Sequence, residues 1–278
     1  AFGAYDVTAY PGVTAREGMD RLRPVTNWRG YCSKFNFAAA ATSGGENAAA
    51  GYIFEKMNAS EKENVNDKGN SIRKDSVLYG VKAYKSYFII GDYLVALGAG
   101  ITNLTPEVPG HIRTSIEQVE RTDSVYWYKG KGGSWLVQRG GFAYSVFPEY
   151  KKRMRHACET KATDWMKINP SNQNNKNLPQ EVDILSIWID HGEHPVDDTY
   201  GYAVYCGEGL PEKKYPFEVL RNDTQMQAVR SKDGRVTGAV FYDAGIRLKD
   251  KKISLSVSAP CAVLIEQQED GRTLLSVT

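Results

Sequence analysis

The chain has 278 residues, a length that suits one large β unit plus a small one. Its 35 basic and 33 acidic residues leave a formal charge of +2, so the balance does not predict binding to nucleic acid or to a membrane surface. There is no apolar run of about 18 residues and no signal-peptide pattern at the start, so we expect no membrane span and a processed N-terminus.

Strand signals dominate, and helical periodicity is weak. In chain order, the predicted elements are a helical pattern at 15–24, a hairpin at 86–101, strands with glycine turns at 123–147, a second helical pattern at 150–162, strands at 183–192 and 200–207, and short strands from 238 onward. Gly91-Asp92 is a hairpin-turn dipeptide. The pattern predicts an all-β, mostly antiparallel protein with large stacked sheets.

Polar and proline-rich stretches divide this pattern. Residues 58–71 and 169–177 have very little apolar content and are predicted to be surface loops. The segment 207–216 contains two prolines, glycines and charges between strand-rich regions. We therefore predict a large domain over residues 1–210 and a small one over 211–278.

The sequence gives little reason to expect a cofactor. Its four cysteines are far apart, which argues against a clustered zinc site; we expect small buried thiols, with a disulfide framework as the alternative. They are Cys32, Cys158, Cys206 and Cys261. Four acidic residues, Asp190, Glu193, Asp197 and Asp198, have oxygen ligands that suit Ca²⁺, but their spacing matches no EF-hand loop.

Six stretches share their order and spacing with one known family. They are TAYPGVT (8–14), GGENAAAGYIFEK (44–56), AYKSYFIIGDYLVALGAGI (83–101), RTSIEQ (113–118), LSIWIDHGEHPVDDTYGYAVYCG (185–207) and FEVLRNDTQMQAVR (217–230). Together they resemble the β portion of polysaccharide lyase family 8, which includes the chondroitin, hyaluronan and xanthan lyases. The resemblance implies a large antiparallel β-sandwich, a supersandwich of the galactose-mutarotase-like kind, followed by a small C-terminal β-sandwich domain.

The same resemblance implies an activity. Lyases of this family cleave uronic-acid-containing polysaccharide, such as the glycosaminoglycans chondroitin sulfate and hyaluronan, by β-elimination. Their active-site Asn, His, Tyr and Arg lie on an α/α toroid that precedes the β portion, so we expect the main catalytic residues on a toroid partner. A polymeric substrate implies a secreted or periplasmic protein. The alternative is a non-catalytic carbohydrate-binding or structural β domain.

The resemblance also selects candidate site residues. Family members have a glutamate in the glycine-rich loop that pairs with the catalytic arginine, which makes Glu46 the catalytic candidate here; a solvent-exposed loop glutamate is the alternative. Asn47 is a candidate sugar contact or a turn-forming residue. Arg29 and Asn36 are candidate substrate contacts at the rim of the cleft, because basic and polar side chains hold acidic sugars.

Histidines and tryptophans are weaker candidates. We expect a structural or surface role for each of the four histidines, His111, His156, His191 and His194. Trp127 and Trp135 flank a glycine turn, and core packing is favoured over a place in the cleft for both.

Overall fold

The computed structural model describes residues 2–6, 8–18, 33–55, 80–130, 133–164, 180–249 and 253–278. The all-β prediction is confirmed: this part of the chain contains nineteen strands and two short 3₁₀ helices, Phe2–Ala4 and Pro148–Arg153. The strands are β1 (Thr14–Arg16), β2 (Ala38–Ser43), β3 (Asn47–Glu55), β4 (Val81–Ile90), β5 (Tyr93–Asn103), β6 (Ile112–Glu120), β7 (Val125–Lys129), β8 (Ser134–Gln138), β9 (Ala143–Val146), β10 (Met154–Ala162), β11 (Glu181–Asp190), β12 (Asp198–Tyr205), β13 (Phe217–Asn222), β14 (Met226–Ser231), β15 (Val236–Phe241), β16 (Arg247–Lys249), β17 (Ser254–Ser256), β18 (Cys261–Gln267) and β19 (Thr273–Val277). No helix within these ranges has the length and apolar character needed to cross a membrane.

An eight-stranded antiparallel sheet, in the order β2-β3-β4-β5-β12-β9-β8-β7, forms the middle layer. A four-stranded sheet, β1-β6-β11-β10, covers one face, and a five-stranded sheet, β13-β14-β15-β18-β19, covers part of the other. Neighbouring residues of β4 show both contacts: the Tyr87 hydroxyl donates to the Gly12 carbonyl at 3.2 Å, whereas the Phe88 ring lies against Gly238 of β15. Because both faces are covered, most residues of β4 and β5 are apolar, with Lys82, Lys85 and Ser86 as the exceptions in β4.

The predicted hairpin at residues 86–101 is confirmed as part of β4 and β5. Ile90 pairs with Tyr93 across the two-residue turn, and Gly91 has φ +53°. A positive φ at the first turn residue favours glycine, since it has no Cβ to clash with the backbone. Local turn chemistry therefore sets the register of the two central strands.

The helical interpretation of residues 150–162 is wrong for most of that stretch. Only Pro148–Arg153 is a 3₁₀ helix, and Met154–Ala162 is strand β10. All nine residues of β10 pair with β11, a ladder that outweighs a weak helical pattern. In the other helical pattern, residues 15 and 16 belong to strand β1, and residues 19–24 lie outside the described ranges.

The C-terminal strands form a second, smaller sandwich. The five-stranded sheet turns one face toward the central sheet, and its opposite face packs on the short β16–β17 pair through Phe241, Val263 and Leu248. The turn between β18 and β19 contains Gly271 at φ +83°. Residues 206–216 connect the two sandwiches and contain the predicted domain boundary, which stays a prediction.

The expectation of buried cysteines is wrong at two positions. Cys158 and Cys206 are exposed free thiols, and Cys261 is a buried free thiol. Cys158 lies on β10 at an edge of the four-stranded sheet, and Cys206 directly follows β12, so neither is covered by another layer. Cys32 lies outside the described ranges.

Lys85 of β4 is a cation enclosed between two sheets. Its side chain is 1% exposed, and its ammonium group donates to the Gly12 carbonyl and, at 3.0 Å, to Thr14 Oγ1. Burial lowers the pKa of Lys85 from 10.5 to about 7, because a low-dielectric interior disfavours the charged amine. The folded chain therefore holds fewer protons than the unfolded chain between pH 7 and 10.5, and stability rises with pH across that window.

We expect Lys85→Met to remove this pH dependence and to stabilise the protein at pH 7. In the unsubstituted protein, the free energy of unfolding should rise by about 3 kcal/mol between pH 7 and 9.5 from this group alone. Both acceptors keep a second partner after the substitution, because Tyr87 donates to Gly12 and Thr14 pairs with Thr114. Urea unfolding at the two pH values measures the slope, and Lys82→Met on the same strand should retain it; an unchanged slope in Lys85→Met would contradict the assignment.

Candidate active site

Glu46 stands in a three-residue turn at the edge of the central sheet. The turn, Gly44, Gly45 and Glu46, joins β2 to β3, and Ser43 pairs with Asn47 at its base. Gly44 and Gly45 have φ +59° and +86°, a backbone region that favours glycine. The Glu46 side chain is exposed and has no hydrogen bond or ion pair with any described residue. Among the described residues it is thus a carboxylate without a partner, at the tip of a short hairpin.

The small residues around Glu46 allow this hairpin to pack closely against the C-terminal sheet. Ala41 and Ala49 are paired across β2 and β3 and are buried. A Cβ added to Gly51 would stand 2.6 Å from Val240 Cγ1 of β15, which is closer than carbon atoms approach. By contrast, Cβ atoms added to Gly44 or Gly45 would meet nothing within 4 Å. The alanines and Gly51 allow close packing of two sheets, whereas the two turn glycines provide backbone conformation.

Asn47 uses both ends of its side-chain amide within the protein. Its Nδ2 donates to Glu266 Oε1 at 2.6 Å, and its Oδ1 accepts from the Gly91 amide at 3.1 Å. These bonds tie the base of the Glu46 turn to β18 and to the β4–β5 turn. The arrangement favours the turn-forming alternative, and substrate binding by Asn47 stays a prediction.

Of the two predicted rim residues, Asn36 is described, and it is not brought next to Glu46. Asn36 is exposed, forms no hydrogen bond with a described residue, and precedes β2 at the end opposite the turn. Ser43 is seven residue steps further along the extended chain, a span of about 24 Å. A contact shared with Glu46 therefore requires an extended ligand. Arg29 lies outside the described residues.

His191 is the centre of a buried network and does not offer a proton-transfer group. Its Nδ1 lies 2.6 Å from Asp198 Oδ2 and its Nε2 lies 2.9 Å from Thr114 Oγ1, so both ring nitrogens are engaged. Arg153 donates to the same Asp198 carboxylate. Burial lowers the pKa of His191, and the bond to Asp198 opposes this effect. This geometry agrees with the predicted structural role.

His111 and two acids of the acidic cluster, Asp190 and Asp198, are also engaged in contacts with neighbouring residues. His111 is 43% exposed, and its hydrogen bond with Asp190 raises the pKa of the imidazole. Asp190 also accepts a hydrogen bond from the Gly192 amide, and the Asp198 carboxylate is hydrogen-bonded to His191 Nδ1. The described ranges contain no group of three or more His, Cys, Asp or Glu side chains placed to hold a metal ion.

The two tryptophans have different environments. Trp135 is 1% exposed and packs in the main core, as predicted. Trp127 is 46% exposed, contrary to the core prediction, because β7 is the edge strand of the central sheet. Its ring contacts His156 edge to face, with the ring centroids 5.9 Å apart. It stands seven strands away from β2 and Glu46 in the sheet order.

Glu266 is the residue at this site that sequence reasoning missed. It lies on β18, 219 residues from Asn47, so no local motif connects them. A weak signal was present: in CAVLIEQ the strand alternation places Glu266 on the same face as Ala262 and Leu264, which are buried. An acid on a buried face of a strand indicates a specific polar partner.

Comparison with known families settles the class of the whole chain. The model of the polysaccharide lyase family 8 super-sandwich domain matches residues 1–213, and that of the family's C-terminal beta-sandwich domain matches residues 218–277. The chain belongs to polysaccharide lyase family 8. The supersandwich followed by a C-terminal β-sandwich, implied by the resemblance, is confirmed.

Relatives within family 8 are much longer than this chain. Chondroitinase-AC of Pedobacter heparinus is 29% identical in an alignment of 275 residues that covers 92% of this chain and 34% of that protein. Hyaluronate lyase of Thermasporomyces composti is 27% identical in an alignment of 219 residues that covers 71% of this chain and 26% of that protein. The chain thus spans about a third or less of these relatives.

Solved structures support the same fold. The chondroitin AC lyase of Streptomyces coelicolor A3, solved in complex with chondroitin sulphate, superposes with a TM-score of 0.73 at 23% identity over 99% of this chain and 33% of that one. Paenibacillus xanthan lyase superposes with a TM-score of 0.70 at 16% identity over 96% of this chain and 25% of that one. At these identities the likeness concerns the fold.

Proposed function

We propose that this chain is the β portion of a lyase that cleaves uronic-acid-containing polysaccharide, a glycosaminoglycan such as chondroitin sulfate or hyaluronan, by β-elimination. The main catalytic residues lie on an α/α toroid, and Glu46 reaches into the shared active site. Because the substrate is a polymer, the protein works outside the cytoplasm, secreted or in the periplasm.

The observation that carries the proposal is the exposure of Glu46 and its lack of a cationic partner among the described residues. In a family 8 chain, its carboxylate stands exposed on a hairpin tip without a cation among the described residues. Its counter-charge would come from a group brought to the turn by another segment. Charge on a fixed turn is suited to orienting a partner's side chain.

The reaction explains why an oriented cation is needed. Removal of the uronate C5 proton develops negative charge beside a carboxylate, and the bond from C4 to the bridging oxygen then breaks to leave a C4–C5 double bond. The leaving oxygen takes up a proton. A positive group must stabilise the developing charge, and a base and an acid must move the two protons.

Glu46 acts on the cation and does not itself move these protons. A carboxylate opposite an arginine forms a directional ion pair that holds the guanidinium in one orientation. Fixing that group before the reaction lowers the reorganisation needed in the transition state. The described histidines are not needed for this role, since His191 is buried and fully bonded.

The test follows the near-ultraviolet absorbance of the new double bond during incubation with chondroitin sulfate or hyaluronan. We expect no product from this chain alone and product from the complete lyase, meaning the chain joined to or mixed with its α/α toroid. Product from the chain alone would show that the proton-transfer groups were misassigned. Binding of acidic polysaccharide without product from the complete lyase would support the alternative, a non-catalytic carbohydrate-binding domain.

A further inference from the structure

The geometry points to Glu266 as the positioning residue that fixes the Glu46 turn. Through this one carboxylate, the C-terminal sheet sets where the proposed active-site carboxylate stands. The inference rests on the proposed role of Glu46. It assigns a task to the C-terminal sandwich beyond support of the fold.

Glu266 bridges the base of the turn with both carboxylate oxygens. Oε1 accepts from Asn47 Nδ2 at 2.6 Å, and Oε2 accepts from Ser43 Oγ. Ser43 and Asn47 are the paired residues that end β2 and begin β3. One side chain from β18 therefore holds both strands where the Glu46 turn leaves the sheet.

The turn itself has little intrinsic restraint. Gly44 and Gly45 have open space around them, and glycine has the largest conformational freedom of any residue. Asn47 adds a third restraint, because its Oδ1 accepts from the Gly91 amide of the β4–β5 turn. Within the hairpin, Thr42 Oγ1 donates to the Asn47 carbonyl at 2.9 Å, and the anchoring from β18 and the β4–β5 turn adds to this in limiting the positions open to Glu46.

The environment of Glu266 favours a specific role over a general one. The side chain is 8% exposed and forms no ion pair with a described residue, so its contacts are hydrogen bonds to neutral donors of the turn. A buried carboxylate with neutral partners is costly relative to an apolar residue of similar size. This cost favours a role for the Glu266 carboxylate in fixing the geometry of the Glu46 turn.

Two substitutions separate the hydrogen bonds from the volume of the side chain. In Glu266→Gln, Oε1 still accepts from Asn47 and the new amide donates to Ser43 Oγ, so both contacts survive. Glu266→Met has a similar length but removes both. In the complete lyase we expect Glu266→Met to lower kcat about 10- to 100-fold with little change in KM, and Glu266→Gln to stay within about 3-fold.

A double-mutant cycle tests whether Glu266 acts through Glu46. In a Glu46→Gln background, Glu266→Met should lower kcat no further, because the carboxylate that it positions is gone. An equal additional loss in that background would overturn the inference. Glu218→Met, on the same C-terminal sheet but paired with Arg230, is the matched control and should leave kcat unchanged.

A measurement that does not depend on enzymatic activity distinguishes failure of this inference from failure of the proposed function. Backbone ¹⁵N order parameters of Gly44, Gly45 and Glu46 in the 278-residue chain should fall from about 0.85 toward 0.6 in Glu266→Met and stay high in Glu266→Gln. Unchanged order parameters would overturn the positioning role whatever Glu46 does. If they fall while Glu46→Gln leaves the rate unchanged, the positioning role stands and the function of Glu46 fails. Should Glu266→Met not fold, Ser43→Ala removes one of the two contacts and is read in the same way.

Discussion

We expect Glu46→Gln in the complete lyase to lower kcat about 100-fold, with a small change in KM. Glutamine keeps the size of the side chain and one acceptor but loses the charge that would pair with the toroid's cation. That loss affects the transition state, in which negative charge develops, more than it affects substrate binding. The initial rate of product absorbance at saturating chondroitin sulfate or hyaluronan measures the effect.

The matched control for this prediction is Glu107→Gln. Glu107 is likewise an exposed turn glutamate and forms no hydrogen bond or ion pair with a described residue. We expect its rate to equal that of the unsubstituted lyase. Neither substitution should change the thermal midpoint, because neither side chain is buried. A rate within about 2-fold of normal for Glu46→Gln would remove Glu46 from the active site.

Phe88→Ala destabilises the protein by about 3–5 kcal/mol, the largest effect on stability that we expect from a single substitution at this interface. Phe88 is fully buried on β4, where its ring fills the space between the central sheet and Gly238 of the C-terminal sheet. Truncation leaves a cavity that glycine and alanine neighbours cannot fill. The shift of the urea unfolding midpoint measures the loss.

Ile89→Ala is the control for this prediction. Ile89 is the next residue of the same strand but is 43% exposed, so we expect a loss of less than about 1 kcal/mol. Similar losses for the two substitutions would contradict the close packing of the two sheets. Phe88→Ala should also lower activity in the complete lyase, because the sheet that carries Glu266 would no longer be firmly seated against the hairpin.

Sequence reasoning succeeded where the signal is local. The Gly91-Asp92 turn and the strands on either side follow from neighbouring residues, whereas Glu46 was selected as a candidate by the family resemblance. Reasoning was wrong at residues 154–162, where a weak helical pattern yields to pairing with β11. It was also wrong for Trp127, because the position of β7 at the edge of its sheet is not visible in the local pattern.

By itself, the sequence determined the class of fold and the presence of one carboxylate among glycines, since alternation, turn residues and composition act over a few positions. The tertiary structure alone decided that Lys85 is enclosed between two sheets. It alone decided that Glu266, 219 residues from Asn47, accepts a hydrogen bond from the base of the Glu46 turn. These features depend on which sheet faces cover each other, and that is set by packing between strands distant in the chain.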